Sequence, residues 1–513
     1  NMNLFLALLP ILVVFVLLVW RKMAADTAGL IGWMLMAMVA WLVFQTPLPV
    51  ILQASLGGMV ASFPISLMVA ASILQITLML ETGAIARVVA LIKTISPQNQ
   101  VVQIMIINVG VGTLLAALGA TPVSILPPIM LALGYSSFVA IALPALGYDA
   151  LCTYALLGIP VVVFSNFVGL PVNEVGSYFA RFMPVISTCI ALGMLWIVGG
   201  LGMLRRGMVP ALLSGLTAGF IAVWMNAAHM VTLTGVAAGL GVVVVMLAYL
   251  KLSGQPLFSR EPLCKADLEA ENRLSIWTAI SPWLLLVVFA VLVNAPFLPF
   301  FELTFTRWAM PVEIIPGAPE KVRFFWQAYF WILVSTLLAL PLLRPSQAQI
   351  KTSLRKWIRR APRPMLAAAI FFAIAYTINH SGKGLDWALL DPERNIVFLL
   401  AASAAAAFGR LYPLAAPFLG LLGGFVSGSE ASAIAMLTAL HLSTAEKIGM
   451  AGLVIAAASG IGAGLASVIS PAKLQNAAAS IDRIGEEGGV LRITFIISLL
   501  ITLVCALLSM LWS

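Results

Sequence analysis

Apolar stretches long enough to cross a bilayer recur from one end of this chain to the other, and nothing else in the sequence narrows its fold so far. Residues 4–20 (LFLALLPILVVFVLLVW), 184–204 (PVISTCIALGMLWIVGGLGML), 326–343 (WQAYFWILVSTLLALPLL) and 492–512 (RITFIISLLITLVCALLSMLW) are four of them. About 20 apolar residues in a helix span the roughly 30 Å hydrocarbon core. Of the 513 residues, 62% are hydrophobic and only 9% charged, against about 25% charged in soluble domains. The mean hydropathy is +1.08. Dividing the length by one span plus a short loop gives roughly twelve to fourteen membrane segments. The expected fold class is an all-α polytopic membrane protein.

The few charges supply orientation. Arg21 and Lys22 follow the first apolar run rather than precede it. That order reads as a retained helix with both residues cytoplasmic, not as a signal peptide. The formal net charge is +9, but the basic residues lie in loops between spans, with 351–363 (KTSLRKWIRRAPR) the richest. Such loops follow the positive-inside bias or touch anionic lipid, and they give no sign of nucleic-acid binding. The same bias puts Arg205/Arg206 and the segments 251–273 and 344–363 inside. It leaves 294–326 and 380–395 outside, the former Pro-rich, aromatic and suited to lying on the interface. Cys152, Cys189, Cys264 and Cys505 have no metal-ligand spacing and read as small apolar packers without disulfides.

The chain divides into 1–204, an intervening 205–363, and 364–513, and the outer parts echo each other. The first carries Gly119-Ala120-Thr121-Pro122 and then Gly158-Ile159-Pro160, within about 112–169. The second carries Gly428-Ser429-Glu430 and then Ser470-Pro471, within about 412–480. Thr121 to Pro160 is 39 residues and Glu430 to Pro471 is 41. Irregular backbone at membrane depth survives only where protein or a water-filled cavity covers it. Matched interruptions in two halves therefore point to a transporter's midplane site. The charges fit this pattern: Asp149 is alone between Lys93 and Glu174, Glu430 alone between Arg410 and Glu446, and Lys473 alone between Lys447 and Asp482.

The order GATPVSI (119–125), GYDALCTYALLGIPVVV (147–163), INHSG (378–382), GFVSGSEASA (424–433) and ISPAKLQNAAAS (469–480) resembles the bacterial lactate permease family. The likeness runs over nearly the whole chain. It implies a secondary transporter that brings lactate, or in some members glycolate, into the cell with protons, in the cytoplasmic (inner) membrane. It also implies inverted repeats with re-entrant hairpins. Several positions depart from the family pattern. Residues 114–122 (LLAALGATP) lack the acid common ahead of the first interruption. Glu430 stands at a position usually Asp or Asn, Ala431 replaces Thr, Ser432 is kept and Ile434 replaces Asn. Asp149 sits where an uncharged neighbourhood is usual, and Lys473 where a small polar residue is usual. The departures gather at the site and bear on which anion it takes.

A small carboxylate needs positive potential without bulk water, and half-helix N-termini supply it. The breaks at Thr121-Pro122, Gly158-Ile159-Pro160, Gly428-Ser429 and Ser470-Pro471 are expected to aim such ends at a central anion. Thr121, Ser124, Ser429 and Ser432 can add hydroxyl donors, or bond back to their own helices. Gln475 and Asn476 can read a 2-hydroxyl. Lys473 either pairs with the substrate anion, admitting a second acidic group, or snorkels to the interface. Glu430 and Asp149 are the proton-carrier candidates, because low dielectric disfavours a lone carboxylate and an anion bound nearby disfavours it further. A structural ion pair of either acid with Lys473 is the alternative. His380 can relay protons near the outer face.

Two other readings stay open within transport and beyond it. Carbonyls at the breaks can bind sodium, giving a sodium-coupled carrier of another small organic anion such as a dicarboxylate or sulfonate. An intramembrane enzyme would need a nucleophile with a base, yet no G-x-S-x-G occurs at Ser427 or Ser429, and the histidines are His229, His380 and His441. No G-x-x-x-x-G-K-[ST] loop is present for an ATP-driven pump. No cofactor or metal is implied.

Overall fold

The computed structural model describes residues 2–21, 23–96, 98–295, 297–483 and 485–513. Lys22, placed with Arg21 on the cytoplasmic side above, falls outside them. Ten described helices are long and apolar enough to cross a membrane, and Ser137–Asp149 with Cys152–Val168 form a further pair bent by 67°. Four shorter apolar helices accompany them: Met2–Leu17, Leu48–Ala61, Pro122–Ala132 and Ala328–Leu343. The count of ten takes each long helix once, although glycines break some of them into more than one crossing. The 45-residue helix Met183–Ala227, for example, folds back at Gly199 and Gly200, where φ is −156° and 56°. A Cβ at Gly219 would lie 2.2 Å from the Pro184 Cα across that fold.

The chain is not wholly helical. Met310–Ile315 and Ala318–Val322 pair as an antiparallel hairpin within the segment expected outside. Gly317 makes the turn at φ +73°, and its N–H donates to Glu313 Oε1 at 2.8 Å.

In the second half, helices Tyr412–Ser427 and Gly452–Gly464 touch backbone to backbone. A Cβ at Gly420 would fall 1.8 Å from the Ser459 carbonyl oxygen, and one at Gly462 would fall 2.0 Å from that of Pro417. Small residues give membrane helices the close packing that lipid, as apolar as they are, does not drive.

All four interruptions read from the sequence are helix breaks. The chain leaves helix at Gly119 and re-enters at Pro122–Ala132. Leu156, Leu157 and Gly158 take φ of 54°, 55° and 78° in succession, and left-handed backbone in two leucines is strained. Gly428 ends one helix at φ 69°, and Ser429 caps the next, Glu430–Ile448. A short turn, Ser467–Ile469, precedes Pro471–Ser480.

On the side assigned to the cytoplasm, helix Lys265–Arg273 is tied to the spans by a buried ion pair, Lys93 to Asp267 at 2.9 Å. Burial works to raise the Asp267 carboxyl. Hydrogen bonds from the Cys264 N–H and from Lys93 outweigh it and hold the carboxyl below its usual range.

Candidate functional site

Three of the breaks converge on one cavity of about 370 Å³. Its walls are Tyr148, Cys152, Ala155, Leu156, Ile159 and Pro160 from the first half, and Ser427–Ser432, Ser470 and Lys473 from the second. The starts of helices Ala25–Leu42 and Pro362–Asn379 close its rim with Asp26 and Arg363, whose Oδ2 and Nε pair at 3.2 Å. Arg363 belongs to the basic loop that charge bias places inside, so the opening lies at that end.

Glu430 opens its helix, where the positive end of the helix dipole favours a carboxylate. The Ser429 hydroxyl caps the same turn, accepting the Ser432 N–H at 3.4 Å. Glu430 is 5% exposed. One carboxyl oxygen accepts the Thr153 hydroxyl at 2.7 Å across the two halves, while the other, Oε2, is buried without a partner. A Cβ at Gly464 would stand 2.7 Å from Oε2, so only glycine leaves room for the acid there. The Ser432 hydroxyl, fully buried, is likewise unpartnered.

Lys473 lies in the first turn of Pro471–Ser480. Its ammonium donates to Ser467 Oγ at 2.7 Å and rests 3.9 Å from the Tyr148 ring centroid. A cation at the positive end of a helix is a like-sign arrangement, unfavourable until an anion joins it. Asp149, behind the wall, accepts the Val468 N–H at 3.3 Å with Oδ2 and leaves Oδ1 unpartnered. Both acids are near enough to feel the lysine's charge. Among the described residues, however, no ion pair joins Lys473 to Glu430 or Asp149.

Of the residues singled out from the sequence, Ile159, Gly428, Ser429, Glu430, Ser432, Ser470 and Lys473 line the cavity. Gly158 flanks Ile159 and faces Thr232. The first break does not reach the cavity: Thr121 and Ser124 are exposed, and Pro122–Ala132 packs on Pro471–Ser480. Gln475 and Asn476 are exposed on that helix, away from the lining. His380 sits at the far end of Pro362–Asn379, bonded through Nδ1 to Lys383 Nζ at 2.9 Å. Burial, with the Lys383 charge, pushes its pKa down to about 4, so it stays neutral at working pH.

Sequence reasoning missed Tyr148, Thr153, Ser467, Gly464 and the Asp26–Arg363 rim. It also took Cys152 for a packer, although the thiol lines the cavity, 3.8 Å from Ser467 Oγ. Thr153 and Ser467 had one available signal: both are hydroxyls within breaks, near a lone charge.

Helices spanning a membrane, broken around a cavity that holds the Glu430 carboxyl and the Lys473 ammonium, define a polytopic membrane transport protein. The chain belongs to the L-lactate permease family, which matches it over residues 3–513. It is 23% identical to the glycolate permease GlcA of Escherichia coli (strain K12) over 98% of this chain and 94% of that protein. It is 23% identical to the L-lactate permease of Bacillus subtilis (strain 168), over 97% and 94%. The solved YdaH transporter of Alcanivorax borkumensis is similar at 13% identity and a TM-score of 0.44, over 89% of this chain and 87% of that one. The apolar helices and bacterial relatives make this a multi-pass protein of the inner membrane.

Proposed function

We propose that this protein imports a small 2-hydroxy monocarboxylate, L-lactate foremost and D-lactate or glycolate by the same chemistry, in symport with a proton. The observation that carries the reading is Glu430, a buried carboxyl at the cavity wall with one oxygen bonded to Thr153 and the other bare. Relatives named for L-lactate and for glycolate support the substrate class.

In this reading the substrate carboxylate binds between Lys473 and the N-terminus of Pro471–Ser480, where ammonium and helix dipole both await an anion. The hydroxyls of Ser429, Ser432 and Ser470 contact the 2-hydroxyl. The arriving negative charge makes an ionised Glu430 costly, so substrate and proton load together. Asp149 offsets the lysine from behind when the site is empty. The breaks form two matching pairs of an inverted repeat, and three of the four meet at the cavity.

The test is uptake of labelled L-lactate by purified protein in sodium-free liposomes. Accumulation driven by an inward proton gradient, collapsed by an uncoupler and abolished in Glu430→Gln, is the expected result. Gradient-independent uptake, or accumulation retained in Glu430→Gln, overturns it.

A further inference from the structure

The transport reading leaves unused the most basic element of the chain, the helix Gln347–Arg360. Its sequence, QAQIKTSLRKWIRR, holds five basic residues and no acid. One face is bound to the protein: Trp357 Nε1 donates to the Ala70 carbonyl at 2.8 Å, Gln349 Nε2 to the Glu81 carbonyl at 2.7 Å, and Lys356 pairs with the Glu81 carboxylate. The opposite face, at helical spacing, presents Lys351, Leu354, Arg355, Ile358 and Arg359, all exposed. Together they make one open face of the helix, with no second element opposite it in the lining.

A loop that merely obeyed charge bias would need no apolar residues on its outer face. Here Leu354 is 43% and Ile358 63% exposed, between the three cations. Leucine and isoleucine flanked by lysine and arginine form the pattern of a helix lying in the headgroup region. We propose that this face docks an anionic phospholipid of the cytoplasmic leaflet. Its phosphate is held by Lys351, Arg355 and Arg359, and its upper acyl chain lies on Leu354 and Ile358. The charge complementarity is one-sided, because the helix has no carboxylate to repel a phosphodiester. Each basic residue near an anionic surface adds roughly fivefold preference, so three add on the order of 100-fold.

The position gives the lipid a consequence. Only Ala361 separates this helix from Pro362–Asn379, whose Arg363, Pro364 and Ala367 line the cavity. A docked lipid therefore braces one wall of the transport site.

The experiment uses the full chain in nanodiscs of phosphatidylcholine with a minor fraction of phosphatidylglycerol, reading retained lipid by native mass spectrometry. Preferential retention of phosphatidylglycerol is expected, lost in K351Q/R355Q/R359Q and kept in Lys356→Gln on the inner face. Leu354→Ser with Ile358→Ser lowers retention severalfold while keeping the charges, which separates docking from simple attraction. In liposomes, transport by the unaltered chain rises with phosphatidylglycerol content and that of the triple variant does not. Equal retention in the unaltered and triple-variant proteins overturns the proposal. So does competition by millimolar inorganic phosphate, which assigns a free-anion site, or self-association through this face in place of lipid. Transport in phosphatidylcholine alone is unaffected by such a failure, so the symport reading is judged separately.

Discussion

The two halves of the molecule break their helices at the cavity in different ways. The first half does it by strain: a 67° bend followed by three left-handed residues, Leu156, Leu157 and Gly158. The second half does it by capping, with Gly428 and Ser429 ending and starting helices in unstrained backbone and Ser470 entering Pro471–Ser480. Their contributions differ to match. The second half brings the charges into the cavity, Glu430 and Lys473. The first brings neutral partners, Thr153 on the acid and Tyr148 under the ammonium, and keeps Asp149 behind the wall. Capped helix starts hold a charge by dipole and N–H groups. A strained turn instead fixes where small donors point. The division of labour is charge from one side and positioning from the other.

Removing a second-half charge should therefore cost most. Lys473→Gln is expected to raise the KM for lactate roughly 30-fold or more, as loss of one member of a desolvated charge pair does, read in initial uptake rates. An unchanged KM would move the anion elsewhere. Removing a first-half positioning group should cost less: Thr153→Val lowers kcat/KM about tenfold, the worth of a hydrogen bond to a charged acceptor. Thr153→Ser should restore most of it, and failure of that rescue would make the threonine a packing residue. Smaller again is Gly464→Ala, whose added methyl presses on Glu430 Oε2. Overpacking of this kind costs about 1–3 kcal/mol in stability, visible as a lower melting temperature in detergent with severalfold slower uptake.

A control outside both regions should leave transport nearly untouched. Asp267 binds its proton less readily folded than unfolded, so its contribution is complete above the ordinary aspartate value of about 3.9 and drains away as pH falls below it. Asp267→Asn should lower the melting temperature at neutral pH and flatten its acid dependence. Transport lost at neutral pH would tie that loop to the cavity.

How much of this was legible in the sequence varied with the kind of interaction. Span-length apolar runs and lone charges are properties of the chain itself, so the polytopic class and Glu430, Ser432, Ser470 and Lys473 could be picked out before any geometry. The hairpin Met310–Ile315/Ala318–Val322 could not, because its strands are short, mostly exposed and lack clean alternation. Gln475 does not line the cavity because a residue two positions beyond Lys473 points to another side of the helix, although it adjoins the lysine in sequence. Asn476, on the lysine's side but a turn further along, is exposed outside the lining. Gly464 was invisible, and Thr153 was marked only as a hydroxyl beside a lone charge. Their importance lies in contacts with Glu430, almost 280 positions away for one and on a neighbouring helix for the other, and neither spacing is periodic.

The Asp26–Arg363 pair at the rim has a kinetic meaning. Opposite charges 3.2 Å apart look like a small dipole from a distance, and their field fades well within the Debye length of about 8 Å at physiological salt. The pair itself thus neither draws anions in nor turns them away. Any salt-dependent attraction at this end comes from the basic helix Gln347–Arg360 beside it, and discrimination between one anion and another is deferred to the interior. For the import proposed above, a paired rim is the better threshold, since an unpaired cation there would hold the departing carboxylate.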